Sequence, residues 1–323
     1  MTSTPRPGSD GWLRPLGATG LQVSAVCAGG SPLGSMPGLY GHEVTEDEGV
    51  ATVRAVLDSP IRTIDTSNGY SDGQSERRIG RALAQAGGKP DDVVVVTKVD
   101  PRDGDYSGDR VRASVQESRE RLGLDQLPLV HLHDPDHFPF EEIARAGGAV
   151  DALVALREAG EIGAVGLAGG RVQEMARYLD LGVFDVLLVH NRWTLLDRSA
   201  GDLLRQAEEA GLGLINAAVY GGGLLAGGGA GGMYGYRAAP PEVLGAAERM
   251  RAVCERHGTD LRTAALQFSL RDPRFATTVV GMGRPERVEQ TVVAASADLP
   301  EELWPDLEEL LPPARAWLDA PFD

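Results

Sequence analysis

Short apolar, β-branched runs alternate with stretches of helical periodicity along almost the whole chain. The runs are VSAVCAGG (23–30), IRTID (61–65), VVVVTK (93–98), LPLVHLH (127–133), EIGAVGLA (161–168), FDVLLVH (184–190), GLGLINAA (211–218) and ATTVVGM (276–282). Near-continuous apolar runs of this length suit parallel strands covered on both faces. Between them, GDRVRASVQESRERLG puts Val111, Val115, Ser118 and Leu122 on one face at helical spacing. Thr45 with the acidic residues after it reads as a helix start, and Gly87, Gly123, Gly160, Gly211 and Gly258 read as helix stops. LRPLGATGLQVS (13–24) predicts an N-terminal hairpin, and further helices are predicted near 285–296 and 301–311. Eight strands, each followed by a helix, predict an α/β fold of the (β/α)8 TIM-barrel type, with an N-terminal β-hairpin and an extra C-terminal helix. No linker interrupts the pattern, so residues 1–323 are expected to form one domain. A doubly wound sheet is the alternative and handles eight such units less naturally.

Polar residues stand at or just past the downstream ends of three consecutive runs. They are Asp65 and the nearby Tyr70, then Lys98, then His133. In a parallel barrel these ends share one face, where chemistry is placed. A carboxylate, a phenol, an amine and an imidazole brought together suit proton transfer coupled to hydride transfer. A free tyrosine, with a pKa of about 10, is a poor base at neutral pH. An adjacent ammonium stabilises the phenolate and brings it toward the working range. Asp65 is expected to pair with Lys98, and a neutral His133 to donate a hydrogen bond to the substrate oxygen. Each residue also has a plain structural reading: Asp65 as a cap or salt-bridge acid, Tyr70 as a packed loop aromatic. Lys98 is harder to dismiss, because a charge directly after a buried run needs a partner.

Composition narrows the classes. A net charge of −16 argues against a nucleic-acid surface, which needs clustered Lys and Arg, and weakly against anionic membranes. The start, MTSTPRPGSDGW, lacks the apolar segment of a secretory signal, and no apolar run reaches the roughly 18–20 residues of a bilayer span. The two cysteines, Cys27 and Cys254, read as reduced, packed thiols, and the protein is expected to be cytoplasmic.

The segments IDTSNGYSDGQSERRIGRAL, VVVVTKV and LVHLHDPD closely resemble the aldo-keto reductases from about residue 12 to about residue 310. The resemblance implies a catalytic Asp65, Tyr70, Lys98 and His133, a nicotinamide cofactor and a small carbonyl or alcohol substrate. NRWTLLDR (191–198) and MYGYRAAP (233–240) resemble the branch that oxidises sugars such as L-galactose and L-fucose at C1, with its pyridoxal-oxidising relatives. On that basis the expected reaction is oxidation of an aldose, with a specialised aldehyde or ketone reductase, or a non-catalytic cofactor-sensing subunit, as alternatives. Tyr40, Asn191, Trp193, Tyr234 and Tyr236 are the candidates for shaping the substrate pocket.

Cofactor contacts are expected at His190, Ala218, Tyr220, Gly223, Leu225, Gly281, Gly283, Arg287 and Thr291. YGGGLLAGGGAGG fails as a Rossmann fingerprint, because no following strand ends in an acid at the right distance. As a loop after the seventh barrel strand it can offer backbone N–H groups to a pyrophosphate and close over the cofactor. Departures from the family pattern are Ala168-Gly169 for a Ser-Asn pair, His190 for a Gln, and Asn216-Ala217-Ala218 where many members stack a Tyr. Gly281 stands where NADPH-preferring members usually carry a Lys, and Thr291 where they carry an Asn, while Arg287 is kept. NAD is therefore expected, with NADP as a competent or preferred alternative.

Two rival chemistries remain. HLHDPDH (131–137) contains an H-x-H pair whose rings share a strand face, as in metallohydrolase barrels, yet no Glu or Cys ligand motif accompanies it. No metal is expected, and His131 reads as a hydrogen-bonded core residue. A glycosidase would need two acids at the barrel mouth; Asp65 and Asp100 are available, with Lys98 placed to neutralise one.

Overall fold

The computed structural model describes residues 4–227, 232–235 and 237–319. Strands β1 (Leu13–Pro15) and β2 (Gln22–Ser24) form the hairpin. They are followed by β3 (Val26–Gly29), β4 (Thr63–Asp65), β5 (Val94–Val99), β6 (Leu127–His133), β7 (Ile162–Gly169), β8 (Val186–His190) and β9 (Gly213–Ala217). A second small hairpin, β10 (Met233–Tyr234) and β11 (Arg237–Ala238), precedes β12 (Phe275–Gly281). Strands β3 to β9 and β12 close into an eight-stranded parallel barrel, with β12 between β9 and β3. The TIM barrel expected from the alternating pattern is the observed fold.

The barrel interior is packed by alternate strand residues, among them Cys27, Val96, Leu129, Ile215 and Val279. Leu16 and Val23 of the first hairpin join this cluster. Arg14 donates to the carbonyl of Phe275 at 2.7 Å, and a Cβ on Gly17 would lie 2.4 Å from the amide nitrogen of Gly213. The hairpin therefore stoppers the end where strands begin and leaves the opposite mouth for chemistry. The outer faces of the strands pack against the helices.

Local signals account for the helix boundaries. Thr45 accepts from the Glu48 amide while the Glu48 carboxylate accepts from the Thr45 amide, a reciprocal cap for the Glu46–Asp58 helix. Ser107 caps the Gly108–Leu122 helix, which ends at a left-handed Gly123. The predicted C-terminal helix is shorter than 301–311 and spans Leu303–Glu308. Among the described residues no helix is long and apolar enough to cross a membrane. Cys27 and Cys254 are both buried and unpaired.

The Gln74–Gln85 and Gly108–Leu122 helices meet at Gly80, where a Cβ would lie 2.0 Å from the carbonyl oxygen of Arg121. Gly80→Ala is therefore expected to force the helices apart at a cost of roughly 1–3 kcal/mol. The check is a urea titration showing a lower midpoint at unchanged slope.

Candidate active site

Strand ends deliver three of the four predicted groups. Asp65 closes β4, His133 closes β6, and Lys98 lies one residue before the end of β5. Lys98 Nζ donates to Asp65 Oδ1 at 2.6 Å, to the Thr66 carbonyl at 2.8 Å and to Tyr70 Oη at 3.3 Å. These three bonds match the three protons of an ammonium, so its donors are fully engaged. Asp65 is 3% and Lys98 2% exposed, which makes this a buried ion pair with its open side toward the phenol. The Tyr70 and His133 rings meet edge to face, with centroids 5.6 Å apart.

Tyr70 is placed by the 66–73 loop, and that loop is held on every side. Thr66 and Asn68 donate their amides to the carbonyls of Val96 and Lys98. The Asn68 side chain donates to the Ser114 carbonyl and to Glu117. Arg121 donates to the Asn68 carbonyl and bridges Glu76 and Glu117, and Glu76 also accepts from Thr97. Ser71, Asp72 and Gly73 all have positive φ, so the chain reverses sharply after Tyr70.

His133 sits between two carboxylates. Its Nδ1 lies 2.7 Å from Asp100 Oδ1, and its Nε2 lies 3.8 Å from Asp134 Oδ2. Asp134 also bonds His190 Nε2 at 3.3 Å. Burial pushes the His133 ring down in basicity, but the two carboxylates and the bond to Asp100 outweigh it and leave its pKa raised. The carboxyl groups of Asp100 and Asp134 are lowered; burial opposes this, and His133 is the main group holding them ionised. The ring thus keeps its second proton to higher pH than an ordinary imidazole, a shift in the direction opposite to the neutral His133 expected from the sequence. The glycosidase pairing also fails, since Asp65 is bound to Lys98 and Asp100 to His133.

His131 is fully buried, and burial, then Lys98 and His133, push its pKa well down. It is not the hydrogen-bonded residue expected: neither ring nitrogen has a partner among the described residues. The ring fills the slot left by Gly166, where a Cβ would lie 2.1 Å from His131 Nδ1. No cluster of three metal-ligating side chains occurs among the described residues.

The tetrad lines a cavity of about 630 Å³ at the mouth of the barrel. Tyr40, His190, Ala218, Tyr220, Gly223, Gly281, Gly283, Arg287 and Thr291 line it too. Other predicted contacts lie elsewhere. Leu225 is buried and borders a neighbouring groove. Asn191 is buried outside the cavity wall, its left-handed φ of 63° turning the chain away, and its Nδ2 lies 3.2 Å from His190 Nδ1. Trp193 is carried outward by that turn, onto Arg198, Arg274 and Phe268. Tyr234 is fully buried with its hydroxyl donated to Asp197 at 2.7 Å, and it does not line the cavity. Tyr236 lies outside the described residues, as does the 228–231 part of the Gly-rich loop assigned a closing role.

Sequence reasoning missed Met36, Leu39 and His42, which line the cavity from the loop after β3, and Arg262, which reaches it from the Leu261–Leu270 helix. Nothing in their local pattern marks them; only barrel closure brings them to the mouth. Asp134 lay inside the quoted HDPD segment without a role.

The residues fit a nicotinamide dinucleotide. Arg262, Arg284 and Arg287 line the same cavity as the tetrad. Burial lowers the Arg287 pKa, and the like charges of Arg262 and Arg284 lower it further. A cluster of mutually repelling cations is relieved by a bound phosphate. Gly222 and Gly223 expose backbone on the same wall, and Ala168, Ala217 and Ala218 leave it free of bulk.

Comparison with known proteins agrees with this geometry. Residues 25–312 match the aldo/keto reductase family. The chain is 34% identical to the L-galactose dehydrogenase of Arabidopsis thaliana, over 94% of this chain and 95% of that one. It is 31% identical to the D-threo-aldose 1-dehydrogenase of a Pseudomonas species, over 90% of this chain and 95% of that one. It is also 31% identical to the pyridoxal 4-dehydrogenase of Microbacterium luteolum, over 91% and 96%. Among solved structures, an aldo-keto reductase from Bacillus halodurans in its holo form superposes with a TM-score of 0.73 at 22% identity, covering 93% of this chain and 96% of that one. At that identity the likeness concerns the fold.

Proposed function

Since the chain belongs to the aldo/keto reductase family, and is on that ground an NAD(P)-dependent oxidoreductase, we propose that it oxidises an aldose at C1. The observation that carries this reading is the buried Asp65–Lys98 pair aimed at Tyr70 Oη, in a chain 34% identical to a sugar dehydrogenase. A bound nicotinamide supplies the hydride acceptor in this direction and the hydride donor in the reverse. Arg262, Arg284, Arg287 and Thr291, with the backbone at Gly222 and Gly223, would hold it.

The protein's own residues manage the proton. Oxidation requires a base for the sugar hydroxyl, and Lys98 stabilises the phenolate of Tyr70 that serves. Asp65 keeps the ammonium in place and offsets its burial. His133 holds the reacting oxygen within reach of Tyr70. Tyr40 and His42 give the cavity polar edges for the remaining hydroxyls, beside the apolar Met36 and Leu39. The unpaired, buried Cys27 and Cys254 support a reducing, cytoplasmic setting.

The test is absorbance at 340 nm with L-fucose, L-galactose, D-arabinose, pyridoxal and a panel of aldehydes, with NAD or NADP. Cofactor reduction on one or more sugars is expected; activity confined to lipophilic ketones or simple aldehydes would overturn the substrate reading.

We take NAD as the preferred oxidant, because Gly281 supplies no cation, with NADP accepted through the arginine cluster. Arg287→Ala is expected to weaken NADP binding about tenfold, the loss of one charge-assisted bond, and NAD binding by less than about threefold. Tryptophan fluorescence quenching measures both. Equal losses would move Arg287 to the pyrophosphate common to the two cofactors. A native affinity ten times tighter for NADP, at equal rates, would refute the NAD preference.

A further inference from the structure

Asp100 stands behind the imidazole of His133 and takes no direct part in the hydride or proton transfer. It lies one residue past the end of β5, and three donors converge on its carboxylate. Oδ1 faces His133 Nδ1 at 2.7 Å. Oδ2 accepts from the Gly69 amide at 2.7 Å and, closely, from the Ser67 hydroxyl. Ser67 Oγ also lies 3.1 Å from His133 Nδ1. Ser67 and Gly69 belong to the same loop that carries Tyr70, so one short segment fixes both the phenol and the carboxylate behind the imidazole. The approach is tight: a Cβ on Gly69 would lie 2.8 Å from Asp100 Cγ.

We propose that Asp100 is a positioning residue that fixes His133 with a proton on Nδ1 and holds the ring as an imidazolium, so that the substrate oxygen meets a charged Nε2–H donor. The inference rests on the oxidoreductase reading of this site. Its consequence is directional. In carbonyl reduction the carbonyl carbon accepts hydride from the reduced nicotinamide, the C=O π pair moves to oxygen, and that oxygen takes the Tyr70 proton. Negative charge passes through the oxygen on the way, and a cationic donor holds it more strongly than a neutral one. The His133 proton is not transferred, so the ring ends the reaction as it began.

The groups facing His133 divide in sign: burial and Lys98 oppose the imidazolium, while Asp100, through its charge and its hydrogen bond, and Asp134 favour it and prevail. Tyr70 presents its ring edge to face, and His190 bonds Asp134, which lies beside His133 Nε2. A ring raised in this way loses its charge as pH rises through the raised value; below it the charged donor is fully present.

The experiment pairs a titration with kinetics on the wild type, Asp100→Asn and Ser67→Ala. The six histidines are followed by 15N-edited NMR, with His133→Gln assigning the ring. Reduction of glyceraldehyde by NADH or NADPH is measured from pH 5.5 to 9. We expect the wild-type ring to titrate above the ordinary value of about 6.5. It should fall by at least about one unit in Asp100→Asn, and by less in Ser67→Ala. Reduction at pH 7.5 should drop about tenfold in Asp100→Asn and recover toward the wild-type rate at pH 5.5, where the ring is charged without help. A merely structural role would lower the rate equally at all pH values. A wild-type ring that titrates at or below the ordinary value, or one unmoved by Asp100→Asn, would overturn the proposal. A ring that shifts as expected in a protein that reduces none of the aldehydes and oxidises none of the sugars would support the pairing and count against the oxidoreductase reading alone.

Discussion

Tyr70→Phe is expected to lower turnover by about 10²–10⁴-fold while leaving cofactor affinity within a factor of about three. The phenol is the group that can exchange a proton at the reacting oxygen, because the Lys98 donors are committed to Asp65, the Thr66 carbonyl and Tyr70 itself. Removing one hydroxyl keeps the ring against His133 and leaves the 66–73 loop anchored through Asn68 and Thr66. Steady-state rates on the best sugar of the panel, beside fluorescence titration with NAD, separate the two effects. A variant retaining more than a tenth of wild-type turnover would show that another group or water carries the proton.

The second large effect concerns the ion pair beneath. Asp65→Asn leaves the Lys98 ammonium buried without its counter-ion, and Lys98→Met leaves the Asp65 carboxylate in the same position. Each is expected to destabilise the protein by about 3–5 kcal/mol, because the remaining charge keeps its desolvation cost and loses its compensation. The double variant Asp65→Asn/Lys98→Met carries no charge there and is expected to recover most of that stability, yet none of the activity. Urea unfolding of the four proteins gives the coupling directly. Additive losses in the double variant would mean that the two charges do not compensate one another.

The order of elements was legible because each strand is a short apolar run and each helix has its own boundary signals. Thr45 with the acidic residues after it, and Gly123, act within one turn of chain, so their meaning does not depend on the rest of the molecule. The tetrad was legible for a related reason: parallel strands place their downstream ends on one face, so Asp65, Lys98 and His133 were bound to be neighbours once the runs were strands. Other candidates lie away from the cavity lining because of backbone turns that no local pattern announces. Asn191 and Trp193 follow β8 closely, but the left-handed turn at Asn191 carries Trp193 to the outer layer. Tyr234 belongs to a two-residue strand that closes a hairpin over Asp197, and no periodicity announces a strand so short.

What the sequence determined by itself is the barrel, the position of its mouth and the meeting of Asp65, Lys98 and His133 there, because these follow from local propensity and strand direction. What only the tertiary structure decided is the environment of those groups. Asp100 and Asp134 flank His133 across 33 residues and one residue of chain respectively, and together they raise its pKa against the opposing effect of burial. Arg262 joins Arg287 only because the Leu261–Leu270 helix packs beside the mouth. Charge state and electrostatic company depend on distances of a few ångströms between side chains far apart in sequence, and those distances exist only once the barrel has closed.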